Sequence, residues 1–94
     1  MATDYQALGR YAEAIDRLQL ALSQRHYLLA TFSRLASGIT SPTLEGNVVP
    51  SFNVAKALEI VSDLEVLEGD IDTAIRWANA NAIRSGRPAI IKSG

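Results

Sequence analysis

From Asp4 to Ser37 nothing in the chain stops a helix, and over that stretch apolar side chains return every seven residues. Leu8, Ile15, Leu22, Leu29 and Ala36 form one column; Tyr11, Leu18, Arg25 and Phe32 fill the alternate seam positions, with Arg25 the one charged member. This is the spacing with which helices pack side by side in coiled coils. A flanking column, Ala14, Ala21, Leu28 and Leu35, widens the stripe to what a bundle helix needs. The ends are marked as well. Thr3 and Gln6 stand at capping-box spacing, Asp4 sets a negative charge at the positive end of the helix dipole, and Ser37-Gly38 followed by Pro42 is a stop. The pattern predicts a helix over about 4–37, roughly 50 Å long at about 1.5 Å per residue, with Gly9 tolerated inside it.

Residues 38–52 hold Pro42, Gly46, Asn47 and Pro50, which break any regular element, so this segment is a connection. It also carries Ile39, Leu44, Val48, Val49 and Phe52, more apolar surface than a fully solvated loop needs, and part of it is expected to pack. A second helix is predicted over about 53–85, capped by Ser51 or Asn53, with Val54, Ala57, Val61, Leu64, Ile71, Ile75, Ala78 and Ala82 on its apolar face. Arg84, Gly86 and Pro88 close it. Gly69, beside Asp70, either lies inside one helix or separates two shorter ones; one helix is the favoured reading. The tail, 86–94, contains Ala89-Ile90-Ile91, apolar enough to dock on the bundle or on a partner.

Two helices of similar length on one connection fold back on each other as an antiparallel hairpin. The fold class read here is therefore all-α, a single helical domain over 1–94. Charge supports the pairing. The first helix region has more Arg than acids, residues 38–68 have more acids than bases, and a turn near residue 45 sets Arg25 near Glu65 and Arg34 near Glu59; Glu65 or Glu68 is expected to pair with Arg25. A lone hairpin covers one side of each helix, and a core this small stabilises by only about 3 to 5 kcal/mol. Leu20, Tyr27, Val66 and Trp77 fall outside the seams. Together these points predict a homodimer closing a four-helix bundle, or a hairpin completed by another protein.

Reactive chemistry is scarce. The 94 residues include no Cys, one His and one Trp, so thiol chemistry, disulfides and Cys/His zinc sites are excluded. A net charge of −1 gives no basic surplus for nucleic acid, and no apolar run approaches the roughly 20 residues of a membrane span. With an acid rather than bases near the start, a cytoplasmic location is expected. His26 has only Ser23 within a helical turn, which is no catalytic pair, and no cofactor is implied. Glu68, Asp70 and Asp72 have the alternate spacing that opens a calcium loop, but Thr73 and Asn79 replace its Gly and its bidentate Glu. They read as a solvated acidic turn, not a metal site.

Two stretches resemble known families. Leu8-Gly9-Arg10-Tyr11-Ala12-Glu13-Ala14-Ile15, running on to Ala21-Leu22, resembles the second half of a tetratricopeptide repeat, and Gly69 to Ile75 does so more weakly. They lie roughly 60 residues apart, against a repeat of about 34. Ile15-Asp16, Leu18, Leu22 and Arg25 on a long first helix look like the all-helical chorismate mutases, small intertwined dimers. That likeness would imply an enzyme holding a dicarboxylate in a bundle core through Arg25, with Arg10, Arg17 or Arg34. The chain departs from it at Ala36, where a cation would be needed, and at Asn79 and Asn81, where a Gln or Glu would be.

The leading expectation is a non-enzymatic protein-interaction module, a small adaptor, inhibitor or assembly factor. Its contact surface is expected at Leu20, Tyr27, Val66 and Trp77, with Val48, Val49 and Phe52 of the connection and Ile90 and Ile91 of the tail. The alternative is a small enzyme or anion binder that uses Arg25.

Overall fold

The computed structural model describes residues 4–39, 41–44 and 46–93. Among them the chain forms two helices and no strand: α1, Tyr5–Ala36, and α2, Val54–Ala82. They pack antiparallel into a rod 72 × 19 × 16 Å.

Each helix begins at a capped end. The Asp4 carboxylate accepts from the backbone N–H groups of Gln6 and Ala7 at 3.0 and 3.1 Å, satisfying two donors that have no partner within the helix. Asp4 is therefore the cap itself; Thr3, expected to share in it, lies outside the described residues. Asn53, not Ser51, caps α2 by accepting from the Lys56 N–H at 3.0 Å. Beyond Ala82 the chain closes on a left-handed Gly86, φ +68°. The Arg87 N–H reaches the Ala82 carbonyl at 2.8 Å and the Gly86 N–H reaches Ile83 at 3.2 Å, a Schellman closure in which a side chain at Gly86 would be strained. Gly69 does not break α2, which runs unbroken for 29 residues.

The interhelical seam is not the one the heptads first suggest. Ala7, Ala14, Leu18 and Ala21 are buried, with Tyr11, Arg25, Leu28, Phe32 and Leu35 partly covered. The column expected to flank, Ala14, Ala21, Leu28 and Leu35, thus faces α2, while Leu8, Ile15, Leu22, Leu29 and Ala36 form a shoulder on which Leu29 is 51% exposed. Both columns neighbour the shared 11, 18, 25, 32 row, and one helix cannot tell on which side its partner will lie. On α2 the buried row is Ala57, Ile60, Leu67, Ile71, Ala74, Ala78 and Ala82. Val54 and Val61, expected inside, are exposed; Ile60 and Leu67 take the inner places. Small side chains on both helices allow the backbones to approach closely, and Leu18, Ala21, Leu67, Ile71 and Ala74 form the packed centre.

Of the two acids expected to pair with Arg25, it is Glu68 that meets it, at 2.7 Å, one helical turn beyond the Glu65 that a turn at residue 45 would set opposite. Arg34 donates to Thr31 and Glu59 lies 3.6 Å from Lys56, so the expected Arg34–Glu59 pairing is replaced by contacts within each helix. The connection contributes little to the core: Ile39 is partly covered, while Leu44, Val48, Val49 and Phe52 stay exposed.

Two outcomes follow for thermal unfolding. Ile71→Ala, at a site 2% exposed, is expected to destabilise by about 2 to 5 kcal/mol, against less than about 1 for Leu29→Ala on the shoulder. Gly69→Ala is expected to stabilise by up to about 1 kcal/mol, because the added methyl would meet no atom within 4 Å and the helix is continuous there.

Candidate functional site

The two long faces of the hairpin differ. On one, side chains at the outer edges of the seam leave a line of three open depressions. Tyr27, Leu28, Asp63 and Val66 border the largest, about 520 Å³. Arg17, Leu20, Asp70 and Trp77 border the next, about 240 Å³. Arg10, Glu13, Trp77 and Asn81 border the third, about 430 Å³, so Trp77 sits between two of them. Helical spacing brings these residues together: positions 10, 13, 17, 20, 24 and 27 of α1 recur at three and four, and so do 63, 66, 70, 73 and 77 of α2.

This face gathers all four off-seam residues that the sequence singled out. Tyr27 is 65% and Trp77 48% exposed, and Leu20 and Val66 are as open. The Arg17 guanidinium lies 5.0 Å over the Trp77 ring and 3.2 Å from Glu13, which holds the indole against α1 while leaving about half of it in water. The connection residues Val48 and Val49 are not part of this surface. They border a separate hollow of about 400 Å³ with Ile39, Leu44 and Pro50 at the far end of the rod. Phe52 is exposed beside that end.

The opposite face carries the tail. The side-chain amide of Asn79 donates to the Ile90 carbonyl at 2.9 Å and its oxygen accepts the Ile90 N–H at 2.7 Å, a two-bond clasp that imitates strand pairing. Ile90 is thereby half-buried against the hairpin's own core, while Ile91 points away and is exposed. Lys92 completes the clasp with Glu68 at 2.6 Å and Asp72 at 2.7 Å, and Glu68 also receives Arg25. Glu68 and Asp72 thus bind cations of the chain itself, and no group of three His, Cys, Asp or Glu that could hold a metal ion exists among the described residues.

Arg25 is consequently neutralised by Glu68 within the seam. Arg17 lies on the other face, Arg34 is bonded to Thr31, and Arg10 is some 22 Å away along the helix axis at about 1.5 Å per residue. The chain does not bring a second arginine to Arg25. His26 is exposed on the helix surface. Two features escaped sequence reasoning. One is the clasp, for which the available signal was a lysine following two acids four residues apart. The other is the exposure of Leu22, Leu29, Leu58 and Val61, which only the choice of seam leaves outside.

Among the described residues no helix is long and apolar enough to cross a membrane. The chain matches no protein-family model, no curated protein and no solved structure.

The clasp is pH-dependent in a defined direction. Hydrogen bonds from Lys92 and then Arg25 hold the Glu68 carboxyl below the usual carboxylate range, and bonds to Asp72 and then Glu68 raise the Lys92 ammonium. A lowered carboxyl stabilises above its ordinary value and is lost as pH falls through the lowered one; a raised ammonium stabilises below its ordinary value and is lost as pH rises through the raised one. Protection of the Ile90 amide from hydrogen exchange should be flat between about pH 5 and 10 and fall away below about pH 4. Asn79→Ala should remove that protection at every pH.

Proposed function

We propose that this chain is a non-enzymatic interaction module, an adaptor, inhibitor or assembly factor that acts by presenting a helical face to another protein surface, in a cytoplasmic setting. One observation carries the reading: the chain keeps 7211 Å² in contact with water. A compact protein of 10.1 kDa would expose about 5,300 Å². The excess, roughly 1,900 Å², is over twice the ~800 Å² that one partner contributes to a standard interface. Its radius of gyration, 19.8 Å, likewise stands against about 12 Å for a globular domain of this length.

What fills the excess also supports docking. Large apolar side chains alternate with charges along one face, and an aromatic pair, Tyr27 and Trp77, lies among them. Such mixtures, rather than uniformly apolar strips, are the usual composition of a surface that binds and releases partners.

Because Trp77 is the sole tryptophan, its emission reports on this face directly. In dilute solution the indole should emit at long wavelength and be readily quenched by acrylamide, and an apolar dye should bind the chain. An indole sealed from quencher in a dilute monomer that binds no dye would overturn the reading.

A further inference from the structure

We infer that the tail sits in a recognition slot: the face formed by Asn79, Glu68 and Asp72 takes an extended protein segment with an apolar residue and, two positions later, a lysine, and residues 89–92 are the chain's own competitor for it. The slot lies on the side of the hairpin away from Trp77. It extends the interaction-module reading to a second surface and stands or falls separately from the grooved face.

The grip on residue 90 is a grip on backbone. One side-chain amide donates to the Ile90 carbonyl at 2.9 Å and accepts its N–H at 2.7 Å, so Asn79 pairs both groups that a neighbouring strand would pair, whatever side chain residue 90 carries. Main-chain pairing of this kind holds extended segments that add to a sheet edge, where sites for alternate side chains supply the selectivity. The same alternation is present here. Ile90 packs on the Leu18–Leu67–Ile71 cluster, Ile91 is 88% exposed, and Lys92 turns back to the helices. Positions 90 and 92 are read and 91 is not, which is the period of two of an extended chain.

The lysine site is built by the helices themselves. Arg25 holds one oxygen of Glu68 at 2.7 Å and leaves the other to Lys92 at 2.6 Å, so α1 orients this carboxylate independently of the tail. Asp72, one turn further along α2, supplies the second contact at 2.7 Å. The surrounding charge favours a cation. Glu65, Glu68 and Asp72 recur at three and four along α2 and stand against Arg25 and Arg76, which leaves one negative charge for Lys92 to neutralise.

The tail is fastened lightly enough to be displaced. Beyond the Arg87 N–H, Ile90 and Lys92 carry every polar contact that ties residues 88–93 to the helices. The Lys92 side chain is 36% exposed, and ion pairs so open to water hold weakly. A segment held at two residues lifts without unfolding the hairpin, and lifting it vacates the slot.

The probe is a synthetic peptide with the sequence of residues 87–94, Arg-Pro-Ala-Ile-Ile-Lys-Ser-Gly, titrated into the isotope-labelled full chain while the Asn79 side-chain amide is followed by NMR. In the full-chain variant Ile90→Asp/Lys92→Glu, whose own tail is repelled by Glu68 and Asp72, the peptide is expected to bind with a Kd of about 1 mM. The unaltered chain should bind it about tenfold less tightly, as for a slot shut about nine-tenths of the time. A peptide that itself carries Ile90→Asp or Lys92→Glu should bind at least about tenfold less tightly to the released variant, and Asn79→Ala added to that variant should weaken binding by a similar factor. If the double variant loses helix content, Lys92→Glu alone releases the tail in its place. An Asn79 amide that does not move at millimolar peptide in the released chain would overturn the inference. So would equal binding by released and unaltered chains, or binding indifferent to Asn79→Ala or to the altered peptides. None of these results touches the exposure of Trp77, on which the reading of the grooved face depends.

Discussion

A hairpin of two helices can bury one stripe of each and no more, and every other feature of this molecule answers to that limit. The stripe chosen is narrow. Ala7, Ala14 and Ala21 run along α1, with Ala74, Ala78 and Ala82 on α2, so the helices meet over small side chains, and Ile60, Leu67 and Ile71 supply most of the buried volume. Close approach strengthens dispersion contacts across the seam but leaves the longer side chains of both helices projecting on either side. The apolar shoulders are thus a direct result of a seam lined by alanine.

The two shoulders meet different ends. One side is partly roofed by the chain's own tail, through a clasp in which Asn79 supplies the backbone of residue 90 with the partners a neighbouring strand would give. Lys92, Glu68, Asp72 and Arg25 surround it with alternating charge. Such partly exposed ion pairs stabilise weakly one at a time, so the clasp depends on several acting together. The other side has no such cover. It keeps Leu20, Tyr27, Val66 and Trp77 in water, with Arg10, Glu13 and Arg17 toward one end and Asp63 and Asp70 toward the other. The two faces thus differ in that the chain's own tail covers part of one and none of the other.

The sequence alone determined the all-helical hairpin, because helix ends are local. Asp4, Asn53, Gly38 and Gly86 each act on backbone groups a few residues away, and heptad recurrence over some thirty residues leaves no competing period. It also singled out Leu20, Tyr27, Val66 and Trp77 as lying off the seam, since that follows from angle around one helix. What only the tertiary structure decided is which of two equally periodic columns turns inward, how far the helices slide past each other, and where the tail lies. Leu8, Ile15, Leu22 and Leu29 satisfy the spacing as well as Ala14, Ala21, Leu28 and Leu35 do; Arg25 has acids at 65 and 68 within reach of a small slide; Lys92 has no local partner. Each of those choices depends on the shape and charge of a segment distant in the chain. The physical reason is that spacing along a helix sets only the angle of a side chain, whereas burial is settled between two surfaces.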